Sequence, residues 1–425
     1  MSARSTAQVS RVINAVPFFY GWVIVIAGTL GIVMMGASQT FTFGLFIDAL
    51  ERDLAVSRAN ISLLYGVATL GASALLPLVG RLIDRYGARR VMLLAVSGFG
   101  LACLAMARVQ GIMTLLFGLL ALRFMGFGAM NLTSSTLIAQ WFVRRRGFVM
   151  GLAGQSLAIS LLIYPPLGEW LITQLGWRNA WVAFGVLSVA VMAPASWFFY
   201  RNRPEQYGLE PDGNGAAASA TAPTRTLVSE EDWTLAEARR TAAFWLFAAA
   251  LATTAMVTAG LVFHQTSIFE RQGLGRDAAV RVFQIVAFAS VVGNFTIGQL
   301  LDHYSARYIL SGVLATLSAT ILLVQVMHTP LHGLLYGMLM GICSGSFRVI
   351  DSVIWAKYFG RRHLGAIRGV TTFGTIGGTA LGAYPLGLSV DHFGSYSPAL
   401  NGLLVIAVVI GIIAPFVPRP QKRPF

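Results

Sequence analysis

Gly80-Arg81-Leu82-Ile83-Asp84-Arg85-Tyr86-Gly87-Ala88-Arg89-Arg90 closes one apolar run, and Gly298-Gln299-Leu300-Leu301-Asp302-His303-Tyr304-Ser305-Ala306-Arg307 closes another. The two aspartates stand 218 positions apart, and the chain repeats itself near that offset elsewhere. Trp141-Phe142-Val143-Arg144-Arg145-Arg146-Gly147 is echoed by Tyr358-Phe359-Gly360-Arg361-Arg362-His363-Leu364-Gly365. Tyr164-Pro165-Pro166-Leu167-Gly168 is echoed by Tyr384-Pro385-Leu386-Gly387, and Leu175-Gly176-Trp177-Arg178 by Phe393-Gly394-Ser395-Tyr396. A membrane chain built from two related halves has a natural substrate site at their seam, so a transporter is the leading reading.

Composition points the same way. The chain has 425 residues, 56% of them hydrophobic and 11% charged, with mean hydropathy +0.69. Soluble domains carry about 25% charged residues, so this is a polytopic membrane protein. The formal net charge of +14 is almost all arginine, Lys357 and Lys422 being the only lysines. Basic membrane-flanking loops account for it, and no interleaved aromatic and basic pattern of the kind that binds single-stranded nucleic acid is present. Cys103 and Cys343 both fall in apolar runs and read as buried thiols. The polar first 19 residues and the long apolar run after Tyr20 predict an uncleaved first span rather than a signal peptide.

A span needs about 20 apolar residues as helix. The pattern predicts an all-α fold of twelve spans, at about 20–46, 58–83, 90–109, 112–140, 147–172, 179–200, 243–269, 280–302, 308–327, 332–357, 365–390 and 396–417. The expected organisation is an N-terminal tail (1–19), a six-helix bundle (20–200), a linker (201–242), a second six-helix bundle (243–417) and a C-terminal tail (418–425). Gly213–Ala222 reads as flexible linker, and Ser229 before Glu230, Glu231 and Asp232 as the start of a short amphipathic helix.

The arginines set the orientation. Arg85, Arg89, Arg90, Arg144, Arg145, Arg146, Arg201, Arg203, Arg239, Arg240, Arg307, Arg361, Arg362, Arg368 and Arg423 fall on one side. Only Arg52, Arg58, Arg108, Arg178, Arg271, Arg276 and Arg281 fall on the other, several beside Asp or Glu. By the positive-inside rule both termini and the linker are cytoplasmic. An Arg-rich, Lys-poor chain fits a bacterial inner membrane.

In the first motif Gly80 is expected to let two helices approach closely. Asp84 is expected to cap a helix N-terminus or pair with Arg89, a cytoplasmic latch, with Arg85 and Gly87 completing the turn. Asp302 anchors the second copy, which departs at His303 and Ser305. On these residues the chain resembles the major facilitator superfamily over essentially its whole length. Its finer resemblance is to the monocarboxylate-carrier and oxalate/formate-antiporter branch, carried by Phe19-Tyr20-Gly21-Trp22, Arg203 through Gly213, Trp233-Thr234-Leu235, Phe244-Trp245 and Tyr358 through Gly365. The resemblance implies two six-helix bundles, alternating access, a cavity lined by helices one, four, seven and ten, and a substrate that is a small organic anion. It departs from the branch in helix eight and helix eleven. Neither contains a central cation; Asn294 is the most polar deep residue of helix eight, and Thr371, Thr372, Thr375 and Thr379 mark helix eleven.

A charge at the centre of a span costs about 2.5–3.5 kcal/mol on insertion scales and therefore needs a partner or a function. Arg123 in span four and Arg348 and Asp351 in span ten meet that description, with His264 in span seven. Arg348 is the expected carboxylate ligand, since a guanidinium grips a carboxylate through two hydrogen bonds. Asp351, three residues on and on the same helical face, is the expected proton-coupling group, releasing Arg348 when protonated; a permanent ion pair is the alternative. Arg123, Gln39, Asn131, His264 and Asn294 are further candidate substrate ligands. Gly337, Gly341 and Gly345 recur every four residues and predict a close-packing strip. Phe124, Phe127, Phe347 and Trp355 are candidate apolar lining.

The expected activity is secondary transport of a monocarboxylate-like anion, by proton symport or by anion exchange. A drug exporter would want an anionic cavity, and a non-transporting sensor an output domain. No G-x-x-x-x-G-K-[ST] run occurs, so direct nucleotide coupling has no support. No cofactor, resident metal or enzymatic constellation is expected, and the functional unit is expected to be a monomer in the lipid bilayer.

Overall fold

The computed structural model describes residues 13, 16–142, 145–213, 233–360, 364–418 and 420. Most of the expected flexible linker, the expected helix start at Ser229–Asp232, and Arg144, Arg361, Arg362, His363 and Arg423 lie outside the described residues.

The described chain is built of helices. They are α1 (Gly21–Leu54), α2 (Arg58–Tyr86), α3 (Ala88–Ala107), α4 (Ile112–Trp141), α5 and α6 (together Phe148–Phe199), α7 (Ala242–Arg271), α8 (Arg276–Leu301), α9 (Ala306–Val326), α10 (Pro330–Phe359) and α12 (Ser397–Phe416). Leu364–Leu381 followed by Ala383–Phe393 makes α11. Ten runs among the described residues are long and apolar enough to cross a membrane. Phe148–Phe199, at 52 residues, would be about 78 Å long as one helix, against a hydrocarbon core of about 30 Å. Gly176 at φ +77° divides it into two. The helical stretch 364–393 occupies the place of the eleventh expected span.

Contacts sort the chain into two units: Met1–Phe43 with Gly71–Thr224, and Gly44–Leu70 with Arg225–Phe425. The second unit thus includes the hairpin 44–70. Its allegiance comes from close backbone packing. A Cβ at Gly44 would sit 2.7 Å from the Phe263 carbonyl oxygen, and one at Gly66 2.5 Å from that of Ala380. The Tyr65 and Phe263 rings add a contact at 5.1 Å.

In the first unit, α1, α4 and α6 are joined by polar ties. Tyr20 donates to the Phe199 carbonyl at 2.9 Å, the Trp141 indole donates to that of Arg201 at 2.8 Å, and Ser134 and Tyr200 share a hydrogen bond at 3.0 Å. In the second unit α8 and α10 pack along the glycine strip. A Cβ at Gly341 would sit 2.5 Å from that of Ala289 and 2.6 Å from the Val286 carbonyl oxygen, and one at Gly345 would run into the Ser290 carbonyl. Small residues thus let two backbones touch where lipid gives no hydrophobic drive to association. Cys103 and Cys343 are free and buried. Large apolar side chains such as Phe117, Phe288, Phe295 and Phe373 are exposed. Such a surface would be an aggregation liability in water and is ordinary against lipid.

Candidate functional site

Two backbone irregularities lie side by side in the first unit. α1 loses its regular ladder at Met35–Ser38, and Gln39 is extended at ψ 155°. α4 widens into a π turn over Arg123–Met130. Such breaks inside spans survive only where something re-satisfies the freed backbone groups. Arg123 does this: its Nη1 donates to the Ser38 carbonyl at 2.7 Å. Ser38 and Thr42 hydroxyls donate to the carbonyls of Met35 and Gly36, each at 2.7 Å. The guanidinium of Arg123 also lies over the Phe127 ring, 4.1 Å from its centre, and Arg123 is only 1% exposed. Gly126 makes room, since a Cβ there would sit 2.6 Å from the Ser38 hydroxyl. Gln39 is buried beside this joint and Asn131 follows the π turn half-buried. Discontinuous helices at mid-membrane are the usual material of transporter sites.

The second unit carries the other charges. Arg348 is half-buried and stands within about 5 Å of the midpoint of α10 along its axis. One turn before it, Gly345 abuts the backbone nitrogen of Asn294 on α8, which a Cβ would approach to 2.9 Å. A guanidinium facing lipid at that depth would cost several kcal/mol. Asp351 has a partner that the sequence reading did not consider. Arg368 on α11 pairs with it at 3.2 Å, and the Trp355 indole donates to its other oxygen at 3.3 Å. The expected exchange of Asp351 between proton and Arg348 is therefore corrected: the carboxylate ties α10 to α11.

Two further expectations, for His264 and Trp355, need correcting. His264 is fully buried; its Nε2 donates to the Ala383 carbonyl at 2.9 Å, and its Nδ1 lies 3.4 Å from the Tyr396 hydroxyl. It is spent on packing rather than offered to a substrate. Trp355 is also fully buried, in an aromatic cluster with Phe244, Phe247 and Phe359, so it is core and not lining. In the first motif, a Cβ at Gly80 would meet nothing within 4 Å, so that glycine permits no close approach here. Asp84 is exposed and forms no ion pair among the described residues. The amide of Arg89 is instead capped by Asn202 at 3.3 Å, and its guanidinium lies 4.3 Å from the Trp197 ring centre. Gly87 turns the chain between α2 and α3 at φ +82°, while Arg85 lies over Tyr86, 5.2 Å from its ring centre. Asp302 falls just past Leu301 in the helix that continues to His303, with its side chain outside the described residues.

Sequence reasoning passed over Asp48, Arg58, Arg276 and Tyr396, which form a linked cluster in the second unit. A signal was present: Arg58 and Arg276 stand 218 positions apart, the same offset as Asp84 and Asp302.

Residues 27–324 match the family model of the Major Facilitator Superfamily. Among curated relatives, the uncharacterized MFS-type transporter YhjX of Escherichia coli is 22% identical over 83% of this chain and 84% of its own. The 4-hydroxybenzoate transporter PcaK of Pseudomonas aeruginosa is 26% identical over 75% of this chain and 79% of its own. Among solved structures, a point mutant of the nucleoside transporter NupG superposes with a TM-score of 0.70 at 13% identity, covering 94% of this chain and 99% of that one. The two-unit helical architecture, the internal repeat and the family match over most of the length agree, and the chain belongs to the Major Facilitator Superfamily.

Proposed function

We propose that this protein is a secondary active transporter, not an enzyme, that carries a small organic anion by alternating access coupled to proton symport. The preferred substrate class is a monocarboxylate with an apolar or aromatic body. The observation that carries the reading is Arg348, a half-buried guanidinium near the midpoint of α10. Its planar fork suits a carboxylate, with Asn294 on the neighbouring helix as a neutral hydrogen-bonding group. Arg123, buried against Ser38 and Phe127, serves as a brace that holds the α1 break in shape, and Gln39 and Asn131 are the polar groups nearest that brace along the chain. The relative named for 4-hydroxybenzoate supports an aromatic acid as the first substrate to try.

Protonation of Asp351 would remove its charge from Arg368 and loosen the α10–α11 tie. That gives the proton a mechanical consequence within one unit, which coupling requires. The Arg-rich loops and both termini are cytoplasmic in this reading, in a bacterial inner membrane, with the monomer as the working unit. The test is uptake of labelled benzoate-type and aliphatic monocarboxylates into proteoliposomes, with and without an inward proton gradient. Gradient-stimulated uptake of an aromatic acid is expected. Uptake of none of these acids, with or without the gradient, contradicts the anion assignment.

A further inference from the structure

The turn between α5 and α6 and the turn between α11 and α12 repeat one another, with Arg178 and Tyr396 at equivalent positions 218 residues apart. In the first unit Arg178 plugs the end of α3. Its Nη1 donates to the carbonyls of Ala107 and Val109 at 3.1 and 2.9 Å, and its guanidinium lies 4.3 Å from the Trp177 ring centre. A cation there serves carbonyls that have no partner within the helix and meets the negative end of its dipole. In the second unit the equivalent side chain goes elsewhere. Tyr396 turns inward and is buried, its hydroxyl 3.0 Å from that of Ser267. The end of α9 is served instead by the Gln272 amide, which donates to the carbonyls of Val324 and Gln325, each at 3.3 Å. Beside these groups lies a cavity of about 330 Å³, bounded by the end of α7, the end of α9 and the start of α12.

The lining of this cavity carries one charge. Arg271, the last residue of α7, spends Nη1 on the Gly394 carbonyl at 2.7 Å and stands 5.6 Å from the Tyr396 ring centre. Its other guanidinium nitrogens make no hydrogen bond among the described residues. Ser395 and Ser397 add hydroxyls, and no carboxylate belongs to the lining. The first amides of α12 are already taken, that of Ser397 by the Ser395 hydroxyl and that of Ala399 by the Ser389 hydroxyl. The cavity therefore offers a guanidinium and hydroxyls, a set that takes an oxyanion. Depth says which one. α7 runs for 30 residues, about 45 Å, and a bilayer with its headgroups is about 40–45 Å thick. Arg271, at the end of that helix, thus stands at the level of lipid phosphates. Ile268 and Leu400 give the cavity an apolar wall, and Phe393 and Val326, next in sequence to Gly394 and Gln325 of the lining, are exposed, as neighbours of acyl chains would be. We propose that this cavity binds the phosphate of one anionic phospholipid from the leaflet at the Arg-poor end, bridging α7, α9 and the α11–α12 turn. A zwitterionic headgroup suits it less, because its ammonium would meet Arg271 with no carboxylate beside it. Such a site is independent of which substrate is carried.

The test is a titration of the delipidated full chain in detergent, followed by native mass spectrometry, with phosphatidylglycerol, phosphatidylcholine and inorganic phosphate as probes. Wild type is expected to hold one phosphatidylglycerol more tightly than any that follow. Arg271→Gln should weaken that first binding about tenfold or more, as loss of a hydrogen bond to a charged group does. Ser397→Phe keeps the charge but fills the cavity, and should weaken it as much; it decides the matter should Arg271→Gln not fold. Arg108→Gln, which removes an exposed arginine of the first unit at the same end, should leave it unchanged. Phosphatidylcholine should bind all four proteins alike and weakly. Undiminished phosphatidylglycerol binding in Arg271→Gln or in Ser397→Phe, or an equal loss in Arg108→Gln, would overturn the site. Inorganic phosphate held as tightly as the lipid would overturn the lipid assignment in favour of a free anion.

Discussion

Adding one methyl group at Gly341 and one at Gly80 should move stability in opposite directions. At Gly341 the new carbon would sit 2.6 Å from the Val286 carbonyl oxygen, where ordinary contact begins at 3.4 Å. Helices α8 and α10 must then part by about 0.8 Å, the difference between those two distances. Overpacking of this kind costs about 1–3 kcal/mol, and the gain from replacing glycine within a helix returns about 0.5–1 kcal/mol. A net loss of about 1–2 kcal/mol is expected. At Gly80 nothing lies within 4 Å, so only the gain remains and Gly80→Ala should stabilise by about 0.5–1 kcal/mol. Reversible unfolding in mixed micelles, wild type against each variant, measures both. Transport adds a second readout. Arg348 lies seven residues beyond Gly341 on the helix that is displaced, and misplacing a binding group by about 1 Å can cost up to 100-fold in rate. If Gly341→Ala is as stable as the parent, or both variants shift the same way, the packing argument is wrong.

Two more predictions separate brace from ligand and locate the proton. Arg123→Ala leaves the buried Ser38 carbonyl without its guanidinium donor and should cost about 1–3 kcal/mol of stability, whereas Arg348→Ala should unfold close to wild type; the reverse order in the same unfolding assay would exchange their roles. Asp351→Asn keeps the side-chain shape and removes the charge that pairs with Arg368. It should abolish stimulation by a proton gradient in proteoliposomes while leaving substrate counterflow in place, and surviving stimulation would exclude Asp351 from coupling.

The helical fold was legible because length, apolarity and an internal offset are local or additive properties of the chain. Gly176 is marked in sequence by its repeat partner Gly394, and both adopt positive φ. The strip Gly337, Gly341 and Gly345 was legible for the same reason, a period of four on one helix. The breaks in α1 and α4 were not. Nothing between Met35 and Phe46 forbids a helix; the ladder yields because Arg123, 85 positions away, takes the Ser38 carbonyl. The partner of Asp351 was missed because Arg348 is near in sequence, while Arg368 reaches it from α11. His264 looked functional because a buried ionisable group in a span usually is, and only the positions of Ala383 and Tyr396 reveal that its hydrogen bonds are already made. Gly80 has no close neighbour in this conformation, which the spacing of its motif alone does not reveal.

The central claim is that a guanidinium near the midpoint of α10 receives the substrate's carboxylate. Its most direct measurement is binding of a labelled aromatic monocarboxylate to purified wild type, Arg348→Lys and Arg348→Ala, each first shown to unfold like the parent. The account predicts that Lys, a point charge without the planar fork, weakens binding about tenfold, that Ala weakens it at least 100-fold, and that 4-hydroxybenzyl alcohol, lacking the carboxylate, binds all three proteins equally weakly. Undiminished binding of the acid by Arg348→Ala would contradict it.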